Sequence, residues 1–126
     1  LEAKNDSDFS LMKNLALQIS DNVETSTYEK RKFVHLSAVF ACNFVNHLYA
    51  RAKEIADEHN IPFEYLYPLI EETTQKIKEI DPKSAQTGPS VRNDVRITKM
   101  QEKMLDGELL KIYQTMNESI KKMYEL

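Results

Sequence analysis

The stretch FVHLSAVFACNFVNHLYA, residues 33–50, decides the fold. It holds no charged residue, and its apolar side chains fall on every side of a helix rather than alternating as in a half-buried strand. The polar turns from Ser26 or Thr27 lead into it, and the amphipathic RAKEIADEHN (51–60) leads out, so one helix is expected from there to about His59. Some 33 residues rising 1.5 Å each make a rod of ~50 Å. A compact domain of this length is only ~35 Å across. A helix apolar all round must be buried all round, so a second subunit or another domain is expected to cover part of it. The same stretch makes a poor membrane span, because His35, Ser37, Asn43, Asn46 and His47 interrupt it.

On the N-terminal side, SDFSLMKNLALQIS (7–20) places Phe9, Met12, Ala16 and Ile19 at helical spacing, with Asp6 or Ser7 as N-cap. DNVETS (21–26) breaks that pattern, and Val23 is compatible with a short strand. On the C-terminal side, NIP (60–62) stops the rod and Pro62 suits the first turn of a new helix. Pro68 is expected to break or kink the chain at Tyr67. Leu69, Ile70, Thr73, Ile77 and Ile80 then form one helical face to about Asp81. DPKSAQTGPSVR (81–92) reads as the longest loop. Asn93 or Asp94 caps a helix carrying Val95, Ile97, Met100 and Met104, Gly107 marks a corner, and a last helix shows Leu109, Tyr113, Met116, Ile120 and Met123. The fold class is all-α.

At 126 residues, 41% of them hydrophobic and 29% charged, the chain suits a globular domain with a real core. The 17 basic residues are spread along a chain of net charge −3, which argues against a nucleic-acid partner. One cysteine, Cys42, excludes an internal disulfide, and its apolar neighbours predict a buried, inert thiol. No histidine spacing suggests a metal site. A cytoplasmic location is the expectation.

Two groups of residues carry chemical interest. Along the rod, His35, Cys42, Asn46 and Tyr49 fall near one meridian, with Asn46 ~20° from His35 at 100° per residue. Asn43 lies three residues from Asn46, so the two amides are neighbours. These polar groups either satisfy one another locally, as buried polar groups must, or form the polar wall of a substrate pocket in which His35 is an acid/base candidate. The second group is AQTGPSVRND, residues 85–94. Thr87 offers a hydroxyl, Gly88 permits close backbone approach, Pro89 stiffens the turn, and Arg92 presents a fork suited to a carboxylate or phosphate. The plainer alternative pairs Arg92 with Asp94 while Asp94 caps the next helix. With a single glycine and no following Lys–Ser/Thr, the loop is not a P-loop.

HLSAVFACNFVNHLYA (35–50), PFEYLYPLIEETTQK (62–76) and AQTGPSVRND (85–94), in that order, resemble the helical C-terminal domain, without an assigned role, of a family of Rossmann-like NAD(P)-dependent oxidoreductases. That family is similar to pyrroline-5-carboxylate reductase, ketopantoate reductase and 6-phosphogluconate dehydrogenase. The resemblance covers roughly residues 25–125; Asn93 stands where a glycine is more usual. It implies a 6-phosphogluconate-dehydrogenase-like helical substrate and dimerisation domain over 25–126, with 1–24 as the end of a dinucleotide-binding domain. It implies a homodimer through the long helix, and NADP or NAD held by the chain's own N-terminal Rossmann domain; a small anionic substrate is expected from the Arg92 fork. The present residues contain no GxGxxG and are not expected to hold the cofactor or to be active alone. By the same resemblance His35 and Asn43 are catalytic candidates and Asn46 a substrate-binding one; Thr87, Gly88 and Arg92 are substrate-binding candidates from the chemistry of the loop itself. The alternative is a helical bundle acting as a protein-interaction or phosphotransfer module. A phosphotransfer histidine must be exposed, and HLSAV lacks the Lys and small Gly that usually follow one.

Overall fold

A computed structural model describes all residues from Leu1 to Leu126. The chain is all-α: α1 Asp6–Leu17, α2 Tyr28–Ala38, a π-helical segment Val39–Phe44, α3 Val45–Glu58, a 3-10 turn Phe63–Leu66, α4 Tyr67–Glu79, α5 Pro82–Ala85, α6 Val95–Glu102 and α7 Gly107–Met123. It forms two compact units, Leu1–Ala52 and Lys53–Leu126. No helix is long and apolar enough to cross a membrane.

In the first unit α1 begins where the sequence offers caps, although Asn5, not Asp6 or Ser7, does the capping: its side chain accepts from the Asp8 N–H at 2.9 Å. Residues around Val23 form no strand element. Their backbone nevertheless pairs with the start of the chain. The Leu1 amino group donates to the Glu24 carbonyl, and the Ser26 N–H donates to the Leu1 carbonyl at 2.9 Å. One residue bonding to partners on either side of Thr25 is the pattern of a parallel ladder, with α1 as the crossover. Thr27 then caps α2 through the Lys30 N–H at 3.3 Å.

Helical secondary structure runs without interruption from Tyr28 to Glu58, as the apolar stretch predicts, but its pitch is not uniform. Six residues, Val39–Phe44, take the wider π form. Just upstream, the Ser37 hydroxyl donates to the Phe33 carbonyl at 2.8 Å, a back-bond of the kind that bends helices. Many apolar residues of this stretch are open to solvent, Phe33 67% exposed, Leu36 51% and Phe40 63%, while Val39, Val45 and Leu48 are half-buried. Cys42 is exposed as well, contrary to the expectation of a buried thiol. Burial was inferred from its apolar neighbours, of which Val39 and Val45 are half-buried but Phe40 and Phe44 are exposed.

Helix α3 ends by local geometry. Asn60 adopts φ 56°, its N–H donates to the Asp57 carbonyl at 3.1 Å, and the Ile61 N–H reaches back to Ala56 at 2.9 Å. These are the two bonds of a Schellman cap, with Asn60 in the left-handed position. Pro68 does not kink a helix. It lies in the first turn of α4, where its missing N–H costs nothing, and the 3-10 turn accounts for the residues before it. The long loop also contains a helix: Asp81 caps the single turn α5 through the Lys83 N–H at 2.9 Å. Tyr113 Oη donates to Gln101 Oε1 at 2.7 Å and joins α7 to α6. The only buried apolar residue of the chain is Ala56, and the buried polar ones are Ser90 and Thr98.

The Asn60 cap gives a direct test. Asn60→Gly is expected to leave stability unchanged or slightly raised. Asn60→Val, forced into the left-handed region, should lose roughly 1–2 kcal/mol in urea denaturation. Equal stability of the two variants would show that the left-handed turn does not control the end of α3.

Candidate functional site

The turn TGPSVRND is built from the backbone outward. Gly88 has φ +112°, a region side-chain-bearing residues rarely adopt, which explains why one of the chain's two glycines stands there. Pro89 opens a helical turn. The Asp94 N–H closes it on the Pro89 carbonyl at 2.9 Å, and the Asn93 N–H on the Ser90 carbonyl at 3.1 Å. Asn93 itself is left-handed, φ 52°. This is a second Schellman closure, and it accounts for Asn93 at a position where the resembling family more often has glycine: Asn tolerates that region better than other side chains. Asp94 then caps α6, accepting from the Ile97 N–H at 3.1 Å.

Arg92 is exposed and does not pair with Asp94, whose carboxylate is committed to the cap. The alternative in which the two form an ion pair is therefore not the one observed. The turn is tied to α7 by Ser90, 3% exposed, whose hydroxyl donates to Asn117 Oδ1. Thr98, 5% exposed, donates to the carbonyls of Asp94 and Val95, both at 3.2 Å. Thr87 lines a hollow of about 260 Å³ together with Thr73, Lys76 and Gln86, and neither Gly88 nor Arg92 borders it. A second cleft of about 290 Å³ lies between α6 and α7, lined by Thr98, Glu102, Gln114, Asn117, Glu118 and Lys121. Nothing in the sequence pattern singled out Asn117. It lies 27 residues from Ser90, and the contact that gives it a role is tertiary.

His35, Asn43 and Asn46 belong to the first compact unit. His35 lies on α2, Asn43 within the π segment and Asn46 in the first turn of α3, all exposed. The single meridian expected for His35, Cys42, Asn46 and Tyr49 is not kept. A π turn takes in about one extra residue, so side chains beyond it fall back by roughly 100° relative to a uniform α-helix. Exposure of His35 does not single it out as a phosphotransfer residue, because Phe33, Val34 and Leu36 beside it are 67%, 60% and 51% exposed. π segments interrupt α-helices frequently at functional sites, and this one holds Asn43.

The model of a family described as a domain of unknown function, DUF2520, matches residues 1–120. The chain belongs to the DUF2520 family. This DUF2520 domain is also similar to a "putative NADP oxidoreductase" from Bacteroides fragilis, known from its crystal structure. The identity is 39% and the TM-score 0.92, over 99% of the present chain and 48% of the Bacteroides one. The chain thus spans about half the length of that protein. No curated protein matches it.

The Ser90–Asn117 link should be measurable by a double-mutant cycle. Ser90→Ala strands a buried amide and is expected to cost about 1–3 kcal/mol. Adding Asn117→Leu removes the stranded group and should recover part of that loss. Strictly additive losses in thermal denaturation would mean that the two side chains do not depend on each other.

Proposed function

We propose that this DUF2520 domain is the substrate-binding and dimerisation half of an NADP-dependent oxidoreductase, acting on a small anionic substrate in the cytoplasm. The observation that carries the reading is the 39% identity and TM-score of 0.92 to about half of a Bacteroides fragilis protein described as a "putative NADP oxidoreductase". On this reading the remaining half holds the cofactor. Residues 1–24 would be the end of that dinucleotide-binding domain, and the kinship extends to pyrroline-5-carboxylate reductase, ketopantoate reductase and 6-phosphogluconate dehydrogenase. Two local features support the boundary. The parallel bonds of Leu1 with Glu24 and Ser26, bridged by α1, are those of a β–α–β passage, the unit from which dinucleotide-binding sheets are made. Helix α1 also exposes Leu11 (61%), Leu15 (53%) and the following Ile19 (88%), more apolar surface than one pair of extended segments can cover. A wider sheet would cover it.

The residue roles follow from their chemistry. Arg92, aimed by a fixed turn and free of a competing carboxylate, would hold a substrate anion, with Thr87 and the Gly88 backbone beside it. His35 would donate or accept the proton that accompanies hydride movement, and Asn43 and Asn46 would orient the substrate by hydrogen bonds. The nicotinamide supplies the hydride when NADP is bound. The exposed apolar stretch 33–50 would be covered by the same stretch of a second copy.

Three measurements on the full-length protein test this. NADPH should bind saturably to the full-length protein and at least about a hundredfold more weakly to residues 1–126 alone, followed by nicotinamide fluorescence; equal affinities would put the cofactor site in the wrong half. Arg92→Lys should mainly raise KM, and His35→Ala mainly lower kcat. Small, equal effects with lowered thermal stability would make both residues structural. Phe40→Asp should reduce the mass seen by light scattering from two chains to one, and an unchanged mass would remove the helix from the interface.

A further inference from the structure

Helices α6 and α7 meet at the Gly107 corner and are pinned together by the bond from Tyr113 to Gln101. Where two helices face each other, the facing stripes are ordinarily apolar. Here part of the seam is polar. On α7, Gln114, Asn117, Glu118 and Lys121 recur at i, i+3, i+4 and i+7 and so share one stripe. On α6, Thr98 and Glu102 recur at i and i+4. All six line the cleft of about 290 Å³ between the helices, a volume at the small end of the range for ligand pockets.

The charges in this cleft differ from those elsewhere in the chain. Of all the Asp, Glu, Lys and Arg residues, only Arg51, Asp94, Glu102 and Lys121 are half-buried, and the rest are exposed. Asp94 caps α6, and Arg51 is engaged by other groups. The side chains of Glu102 and Lys121 make no hydrogen bond or ion pair, with each other or with any other residue. An exposed charge is solvated and needs no partner, whereas a half-buried one has given up water and is costly without one. Here the two unpartnered ones have opposite signs and line the same cleft. Glu118 stands three residues before Lys121, the spacing at which Glu29 and Lys32 pair at 2.7 Å, and does not pair with it. Asn117 Nδ2 is buried without an acceptor, while its Oδ1 is held by Ser90. Thr98 commits its hydroxyl hydrogen to the Asp94 and Val95 carbonyls, so toward a ligand it can only accept.

One cation and an amide donor beside two carboxylates are the complement of a small molecule with one carboxylate and two ammonium groups. A phosphate or a dicarboxylate would meet Lys121 and be repelled by Glu102 and Glu118. A simple diamine would satisfy the carboxylates and leave Lys121 and Asn117 unpartnered. We infer that the α6–α7 cleft binds a diamino acid. Lys121 and Asn117 hold its carboxylate; Glu102, with Thr98, and Glu118 hold its two ammonium groups. Every residue of the site lies on α6 or α7, so the inference does not rest on the oxidoreductase reading.

Titration calorimetry of the full-length protein, without NADPH, tests it with three probes: L-lysine, cadaverine (the same chain without the carboxylate) and L-norleucine (the same chain without the second ammonium). L-lysine is expected to bind saturably, and each of the other two at least about tenfold more weakly. Lys121→Met should weaken L-lysine about tenfold or more and leave cadaverine unchanged. Glu102→Gln should weaken both, with circular dichroism and thermal stability of the two variants unchanged. Absence of saturable L-lysine binding at millimolar concentration overturns the inference. Cadaverine binding as tightly as L-lysine overturns it too, because the carboxylate would then play no part. So does an L-lysine affinity that neither variant alters, which would place the bound molecule elsewhere.

Discussion

The apolar stretch 33–50 is the constraint on which the rest depends. Its residues cannot be placed so that one side of the helix meets protein and the other meets water, because both sides are apolar. In the single chain Phe33, Leu36, Phe40 and Phe44 remain at least half exposed. Burying one such side chain is worth ~1.5–3 kcal/mol, so several left in water outweigh the net stability margin of a small domain.

With so little core, direction changes are set by local chemistry. Three non-glycine residues adopt positive φ, Asn60, Asn93 and Glu125, and each closes a helical turn by the same pair of backbone bonds. At the C-terminus the Leu126 N–H returns to Lys121 and the Glu125 N–H to Lys122. Side-chain caps from Asn5, Thr27, Asp81 and Asp94 begin four of the helices. Long-range side-chain bonds are polar, among them Arg31 to Glu2, Ser90 to Asn117, Tyr113 to Gln101, and the Tyr124 hydroxyl to the Lys83 carbonyl. Such joints fix angles without burying much area.

What could be read from the sequence divides along the same line. Features that depend on a few consecutive residues were legible: the helix from Thr27 to the Asn60 corner, the cap at Asp94, the backbone demand at Gly88. Features that depend on phase or on distant residues were not. The π segment lies where apolar residues occur on all sides, so the pattern carries no phase and an extra residue in the turn leaves no trace. The shared meridian of His35 and Asn46 failed for that reason. Cys42 was misjudged because apolar neighbours in sequence do not fix burial, and Phe40 and Phe44 beside it are themselves exposed. The α5 turn was hidden by the Pro and Gly that flank it, and Asn117 by its distance from Ser90.

The turn around Arg92 is held more firmly than a connection needs to be. Its backbone is fixed before it by Gly88 and Pro89, beneath it by the Ser90–Asn117 bond, and after it by the left-handed Asn93 and the Asp94 cap. An arginine whose task is structural would spend its guanidinium on a carboxylate or on backbone carbonyls, as Arg31 does with Glu2 and the Ser26 carbonyl. Arg92 does neither, and the nearest acid in sequence, Asp94, is engaged elsewhere. A rigid backbone under an uncommitted cation lowers the ordering cost of binding an anion, since only the side chain remains to be fixed. That preorganisation is what the anion-holding role proposed for Arg92 requires.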